Sequence, residues 1–331
     1  MVASKRRPNR PFVWVAFYAA VIAAVFVIRG QMERPGTGLR FSAESDTVTT
    51  ITLAGLELAP DLMPQIIDKY HDLYPRLRVV PEDGGTVRAL EALANQRAAV
   101  GLLYRLPTPE ERALVRAAVD DTVLCFPVAL GGVAVLANAF SGVESLAMDE
   151  LRRLARDEAD PRFDRLYAPD PNQGLWDAFR ISLNVFDETS GRPTNAIPEL
   201  ERVTFLKDEA AVIEAVLADP RGLGIASTLS MPDSLPQFAD GRAVRTVPVL
   251  PDTGLVPIEP GYEQIGYGEY PLYHYLYIAC LANGSIRGSM FVTHLTSDRG
   301  QRHVERAGFL PARQSVRQIY LTRHPLGSKT N

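Results

Sequence analysis

Two short stretches hold the residue types that could do chemistry, and that chemistry is the holding of a small polar or anionic group. The first is LRVVPEDGGTVRALEALA at 77–94. It reads as a strand, a glycine corner at Gly84 and Gly85, and a helix with Thr86 at its N-cap. A strand that turns tightly into a helix aims free backbone N–H groups and the positive end of the helix dipole at one spot, so the corner is a candidate anion site. Arg88 stands at the start of that helix. An ordinary capped turn is the competing reading of the same residues. The second stretch is Pro169-Asp170-Pro171-Asn172-Gln173-Gly174-Leu175. There Asn172 and Gln173 offer amide donors and acceptors for a polar group, or simply begin a helix.

Other chemistries find no support. The five histidines are scattered without metal-ligand spacing, and no HExxH, CxxC, P-loop or GxSxG is present, so neither a metal, a cofactor nor an enzyme activity is expected. Net charge is −4 over 331 residues. Seven basic and three acidic residues precede residue 49, and 28 basic and 36 acidic residues follow it. A mildly acidic body lacks the concentrated basic face that nucleic acid requires. Cys125 and Cys280 each sit in an apolar, strand-like run. They read as buried free thiols, with a disulfide open if the two strands adjoin.

The elements that must position these stretches follow a repeating pattern. Lys5, Arg6, Arg7 and Arg10 form a cytoplasmic basic flank (1–10). They precede PFVWVAFYAAVIAAVFVI (11–28), 18 residues without a charge, long enough as a helix to span a bilayer. An uncleaved transmembrane anchor is expected, with a cleaved signal as second choice, and 29–48 reads as a linker. From Thr49 strands alternate with helices, which predicts an α/β fold with largely parallel sheets. A helix is expected from Pro60 to Tyr74 and another at 108–119, opened by Thr108 and Pro109. The run 122–139 is too long for one strand and is read as two strands meeting at Gly131–Gly132. One closing helix is expected over about 286–307. Tyr104 and Trp176 are candidate cleft aromatics, Arg105 a candidate cation, and 187–192 a surface loop.

Several segments, in chain order, resemble the phosphate-binding component of the ABC phosphate importer, within the type II periplasmic-binding-protein superfamily. FVTHLTSDRGQRHVERAGFLPA (291–312) is similar to that family's closing helix and Gly-Phe-x-Pro tail. EYPLYHYLYIA (269–279) resembles its Tyr-Pro-Leu strand, and EAVLADPRGLGIAS (214–227) its helix, turn and glycine-containing strand. ITLAGLELAPDLMPQIIDKY (51–70) and VVPEDGGTVRALEALANQRAAVGLLYR (79–105) stand where its first two anion corners stand. The resemblance implies two α/β lobes, one from 49–128 and 250–320 and the other from 129–249, closing on a small oxyanion or polar solute. It implies Gly55, Gly85, Thr86 and Gly174 as ligand-binding residues, to which the residues' own chemistry adds Arg88, Asn172 and Gln173. It further implies an extracytoplasmic location and an ABC permease or sensor protein as partner. The motifs diverge from the family's. Leu56 and Glu57 replace its first hydroxyl pair, Ala99 lies near its aspartate position, and Pro169, Gln173 and Leu175 replace its arginine, serine and threonine. A degenerate pocket on a protein-binding module is the alternative these substitutions imply.

Overall fold

The computed structural model describes residues 48–185, 200–229, 235–237, 241 and 243–313. The expected anchor, linker and 187–192 loop lie outside these residues. Among the described residues no helix is long and apolar enough to cross a membrane. The strands are β1 (Thr49–Ala54), β2 (Leu77–Glu82), β3 (Val100–Leu103), β4 (Val123–Asn138), β5 (Leu146–Ala147), β6 (Arg165–Pro169), β7 (Val203–Leu206), β8 (Gly222–Ser227), β9 (Val244–Val247), β10 (Val249–Leu250), β11 (Tyr273–Leu281) and β12 (Leu310–Pro311). The helices are α1 (Leu62–Leu73), α2 (Thr86–Ala94), α3 (Pro109–Val119), α4 (Met148–Ala155), α5 (Leu175–Ser182), α6 (Glu209–Ala218), α7 (Tyr262–Gly266), α8 (Ile286–Thr296) and α9 (Asp298–Arg306).

Local chemistry accounts for these elements. In α1, Leu62, Met63, Ile66, Ile67 and Tyr70 recur at helical spacing and are buried. At the start of α3, Thr108 Oγ1 accepts from Glu111 N at 3.2 Å while Glu111 Oε2 accepts from Thr108 N at 2.8 Å. That reciprocal box, with Pro109 first in the helix, fixes where α3 begins.

The fold is two-lobed and α/β. The strands form a sheet in the order β2-β1-β3-β11-β4-β8-β6-β7, with β9 and β12 also pairing β4. Strands β1, β2 and β3 run parallel on one side, and β6, β7 and β8 run parallel on the other. Antiparallel pairs gather at the centre, where β11 meets β3 and β4, and β4 meets β8 and β9. The run 122–139 is therefore one 16-residue strand rather than two. Its residues up to Gly132 pair with β11, and its residues from Val133 onward pair with β8. Gly131 and Gly132 mark the exchange because side chains have no room there. A Cβ at Gly131 would meet Leu229 Cγ at 2.6 Å, and one at Gly132 would meet Ile265 Cδ1 at 2.8 Å. The expected closing helix is likewise divided. Ser297 ends α8 and caps α9, its Oγ accepting from Gly300 N at 3.3 Å.

Candidate functional site

The corner between β2 and α2 uses its two glycines differently. Gly84 takes a positive φ of 132°, which a side chain would strain. Gly85 has an ordinary φ of −95° and is itself the N-cap, so Thr86 is the first residue of the helix and not its cap. Lack of space makes glycine necessary at 85: a Cβ there would lie 2.2 Å from Gln173 Cα and 2.5 Å from the Asn172 carbonyl oxygen. Freed from capping, the Thr86 hydroxyl donates to the Gln173 carbonyl at 2.8 Å and accepts from Tyr104 N at 3.0 Å. Thr86 is fully buried.

The second corner follows β6. Asp170 caps a 3-10 turn, Pro171–Gln173, by accepting from Asn172 N at 2.9 Å. Helix α5 then starts at Leu175, three residues later than Asn172. Gly174 has φ 90°, and a Cβ added to it would meet Thr86 Oγ1 at 2.5 Å. The two corners that the resemblance assigned to an anion therefore pack directly on each other. The hydroxyl that a bound anion would need is already spent on a backbone carbonyl.

A second tie reinforces the first. Arg105 follows β3 and is 4% exposed. Its Nε donates to Asp177 Oδ2 of α5 at 2.8 Å, and its two terminal nitrogens donate to Glu111 Oε2 and Oε1 at 2.7 and 2.8 Å. Its neighbours Glu111 and Asp177 hold the guanidinium charged against the cost of burial. Asp177 also pairs with Arg180. The expected candidate cation is thus committed to an ion-pair network that joins the end of β3 to α3 and α5. A third tie links β11 to β8, where His274 Nε2 lies 3.0 Å from Ser227 Oγ. Burial pushes the His274 imidazole down to about 4.

Beside these contacts lies a cleft of about 660 Å³, within the range of small-molecule sites. Four of the seven expected ligand residues line it: Gly85, Arg88, Asn172 and Gln173. The other three are not among its lining residues. A Cβ on Gly55 would press on the Leu102 carbonyl at 2.9 Å, and Thr86 and Gly174 cover each other. Glu57, not Gly55, faces the cleft from the β1 corner. Lys207, Asp208, Glu209, Ile213 and Glu214 complete the far wall. Sequence reasoning missed that wall, because nothing along the chain sets this helix apart from any other; Asp208 caps it, accepting from Ala211 N at 2.9 Å.

Trp176 and Tyr104 are each 1% exposed and neither lines this cleft, although Tyr104 borders a separate cavity beside Arg105 and His274. Trp176 packs on Phe179 and Phe205. The Tyr104 hydroxyl donates to the Leu58 carbonyl at 2.6 Å. Both cysteines are free. Their strands do adjoin, but Cys125 stands opposite Ala279 and Cys280 opposite Leu124. One residue of offset sends the two thiols to opposite faces of the sheet. Among the described residues no His, Cys, Asp and Glu side chains are grouped as metal ligands would be.

Comparison with known proteins places this geometry. A family model described as a PBP superfamily domain matches residues 42–299. A putative phosphate ABC transporter substrate-binding protein from Clostridium perfringens, solved with bound phosphate, is similar in structure, with a TM-score of 0.60 at 14% identity over 80% of this chain and 100% of that one. An ABC-type phosphate transport receptor from Vibrio cholerae gives a TM-score of 0.58 at 16% identity, over 80% of this chain and 100% of that one. At such identities the likeness is one of fold. Among curated proteins no sequence match is found.

Proposed function

The chain belongs to the PBP superfamily, and from that premise we propose that it is an extracytoplasmic solute-binding protein, held at the membrane by residues 11–28. It takes a small polar solute between its lobes and delivers it, or reports it, to an ABC permease or a sensor protein. The observation that carries this reading is the 660 Å³ cleft, walled by Gly85 and Arg88 on one side and by Asn172 and Gln173 on the other. A ligand seated there touches both lobes, so its binding energy bears on their relative position.

The solute is not held in the way the resemblance implies for phosphate. Thr86 and Gly174 occupy each other's space and Arg105 is neutralised by carboxylates, so those groups offer an oxyanion no free donor. Titration of the full-length chain in mild detergent with anions, amino acids, amines and sugars tests the proposal. A thermal shift that grows with the logarithm of one solute's concentration supports it. No shift with any solute overturns it.

The same contacts favour a second reading, in which the lobes are pinned shut and the domain serves as an interaction module for a protein partner. Capture of a specific partner by the tethered protein, with no solute response, would select that reading. Protease protection of the N-terminus in sealed spheroplasts, with the body cleavable from outside, is the outcome expected for a retained anchor.

A further inference from the structure

The cleft's walls are acidic where a phosphate site would be basic. Of its charged lining residues, Glu57, Asp170, Asp208, Glu209 and Glu214 are acids, and only Arg88 and Lys207 are bases. Lys207 is already matched by Asp208, 3.6 Å away. Asp170 and Asp208 are occupied as caps. Glu57 and Glu214 are exposed side chains, and among the described residues neither has an ion pair or hydrogen bond. They approach the cleft from opposite lobes, Glu57 beside the β1 corner and Glu214 from α6.

A second observation concerns Gln173, which is 6% exposed and lines the same cleft. Its amide nitrogen donates to the Lys207 carbonyl at 3.2 Å. No donor among the described residues reaches its Oε1, and that oxygen is not among the buried unpaired atoms, so it is an acceptor open to solvent and to a ligand N–H. Beside these acceptors, Pro60, Ala210, Ile213 and Pro236 form an apolar floor, which suits methylene groups.

We propose that this cleft binds a small alkylammonium ligand: an ammonium head facing Glu57, Glu214 and the Gln173 carbonyl, with a short methylene chain on the apolar floor. The inference rests on the solute-binding reading above and narrows it from polar solutes to amine cations. It also assigns Glu57 the role of an attractive group, where for an anion it would be a repulsive one.

The test uses the full-length chain in mild detergent, titrated calorimetrically with putrescine, spermidine, lysine and inorganic phosphate. The first two carry ammonium groups alone and lysine adds a carboxylate, so their ranking separates a diamine from an amino acid that also uses Arg88. Expected is binding of at least one amine, weakened at higher salt, and no binding of phosphate. Glu57→Gln and Glu214→Gln, neither of which engages the protein's own packing, should each weaken the amine at least about fivefold without changing thermal stability. Binding of phosphate in place of every amine overturns the amine assignment and leaves the solute-binding reading standing. An amine affinity unchanged in both variants also overturns it. Silence from the whole solute panel overturns both.

Discussion

Replacing Thr86 with valine separates a structural hydroxyl from a ligand-binding one. The two side chains are similar in shape, but a methyl takes the place of the hydroxyl, so the change removes the hydrogen-bonding oxygen and sets an apolar group against the Gln173 carbonyl. In this fold that oxygen serves two buried backbone groups, the Gln173 carbonyl at 2.8 Å and the Tyr104 N–H at 3.0 Å. A buried polar group left unsatisfied costs about 1–3 kcal/mol. With two groups orphaned and some relaxation, Thr86→Val should lose about 2–4 kcal/mol of unfolding free energy. Thr86→Ser keeps the hydroxyl and should lose only the methyl, about 1 kcal/mol. Urea unfolding of the three proteins, followed by tryptophan fluorescence, reads the difference; Trp176 lies in α5, directly after the bonded corner. A valine variant as stable as the parent would refute the reasoning. The Thr86 hydroxyl would then be free in solution and available to an anion, as the resemblance implied.

Arg105→Met should cost about 3–5 kcal/mol, because it takes from the buried Asp177 and part-buried Glu111 carboxylates the cation they share, leaving Arg180 on the one and the Thr108 N–H on the other; denaturant unfolding that shows a loss below about 1 kcal/mol would place that network in water. Gly85→Ala forces a methyl to within 2.2 Å of Gln173 Cα, so the corners must part; a loss of about 1–3 kcal/mol is expected, and an unchanged melting temperature would argue that they are already apart. His274 titrates at about 4 in the fold and at about 6.5 unfolded. Below pH 6.5 the unfolded chain binds a proton that the folded one refuses, so stability falls as pH drops from about 6.5 to 4, by about 3 kcal/mol at most. His274→Gln should flatten that slope in pH-dependent unfolding, and a slope identical to the parent's would remove the histidine from the account.

Much of the scaffold could be read from side-chain order. Helix α1 follows from apolar spacing, and the start of α3 from the Thr108–Pro109–Glu111 sequence. Both are contacts within a few residues, which local sequence specifies. The misread boundaries share one cause. The 122–139 run looked divided at Gly131–Gly132, yet the chain continues as one strand because Leu229 and Ile265 need the space that two glycines leave. The long terminal helix looked continuous, yet Ser297 turns its hydroxyl to Gly300 N and starts a new helix.

The sequence by itself determined the α/β order, the two glycine corners and the loss of the hydroxyls and arginine that the resembled family uses. It could not determine what the surviving hydroxyl does. Thr86 lies 87 residues from Gln173, and Arg105 lies 72 residues from Asp177. Only the tertiary structure brings each pair together, and in doing so it turns an expected anion donor into a tie between the β2–α2 and β6–α5 corners. The acidic character of the cleft has the same origin. Glu57 stands out along the chain only as a departure from the resembled family and Glu214 not at all, and they share one cleft only because the β1 corner and α6 are brought together by the fold. Local spacing fixes which element forms, whereas charge balance in a cleft is a sum over elements that the fold alone assembles.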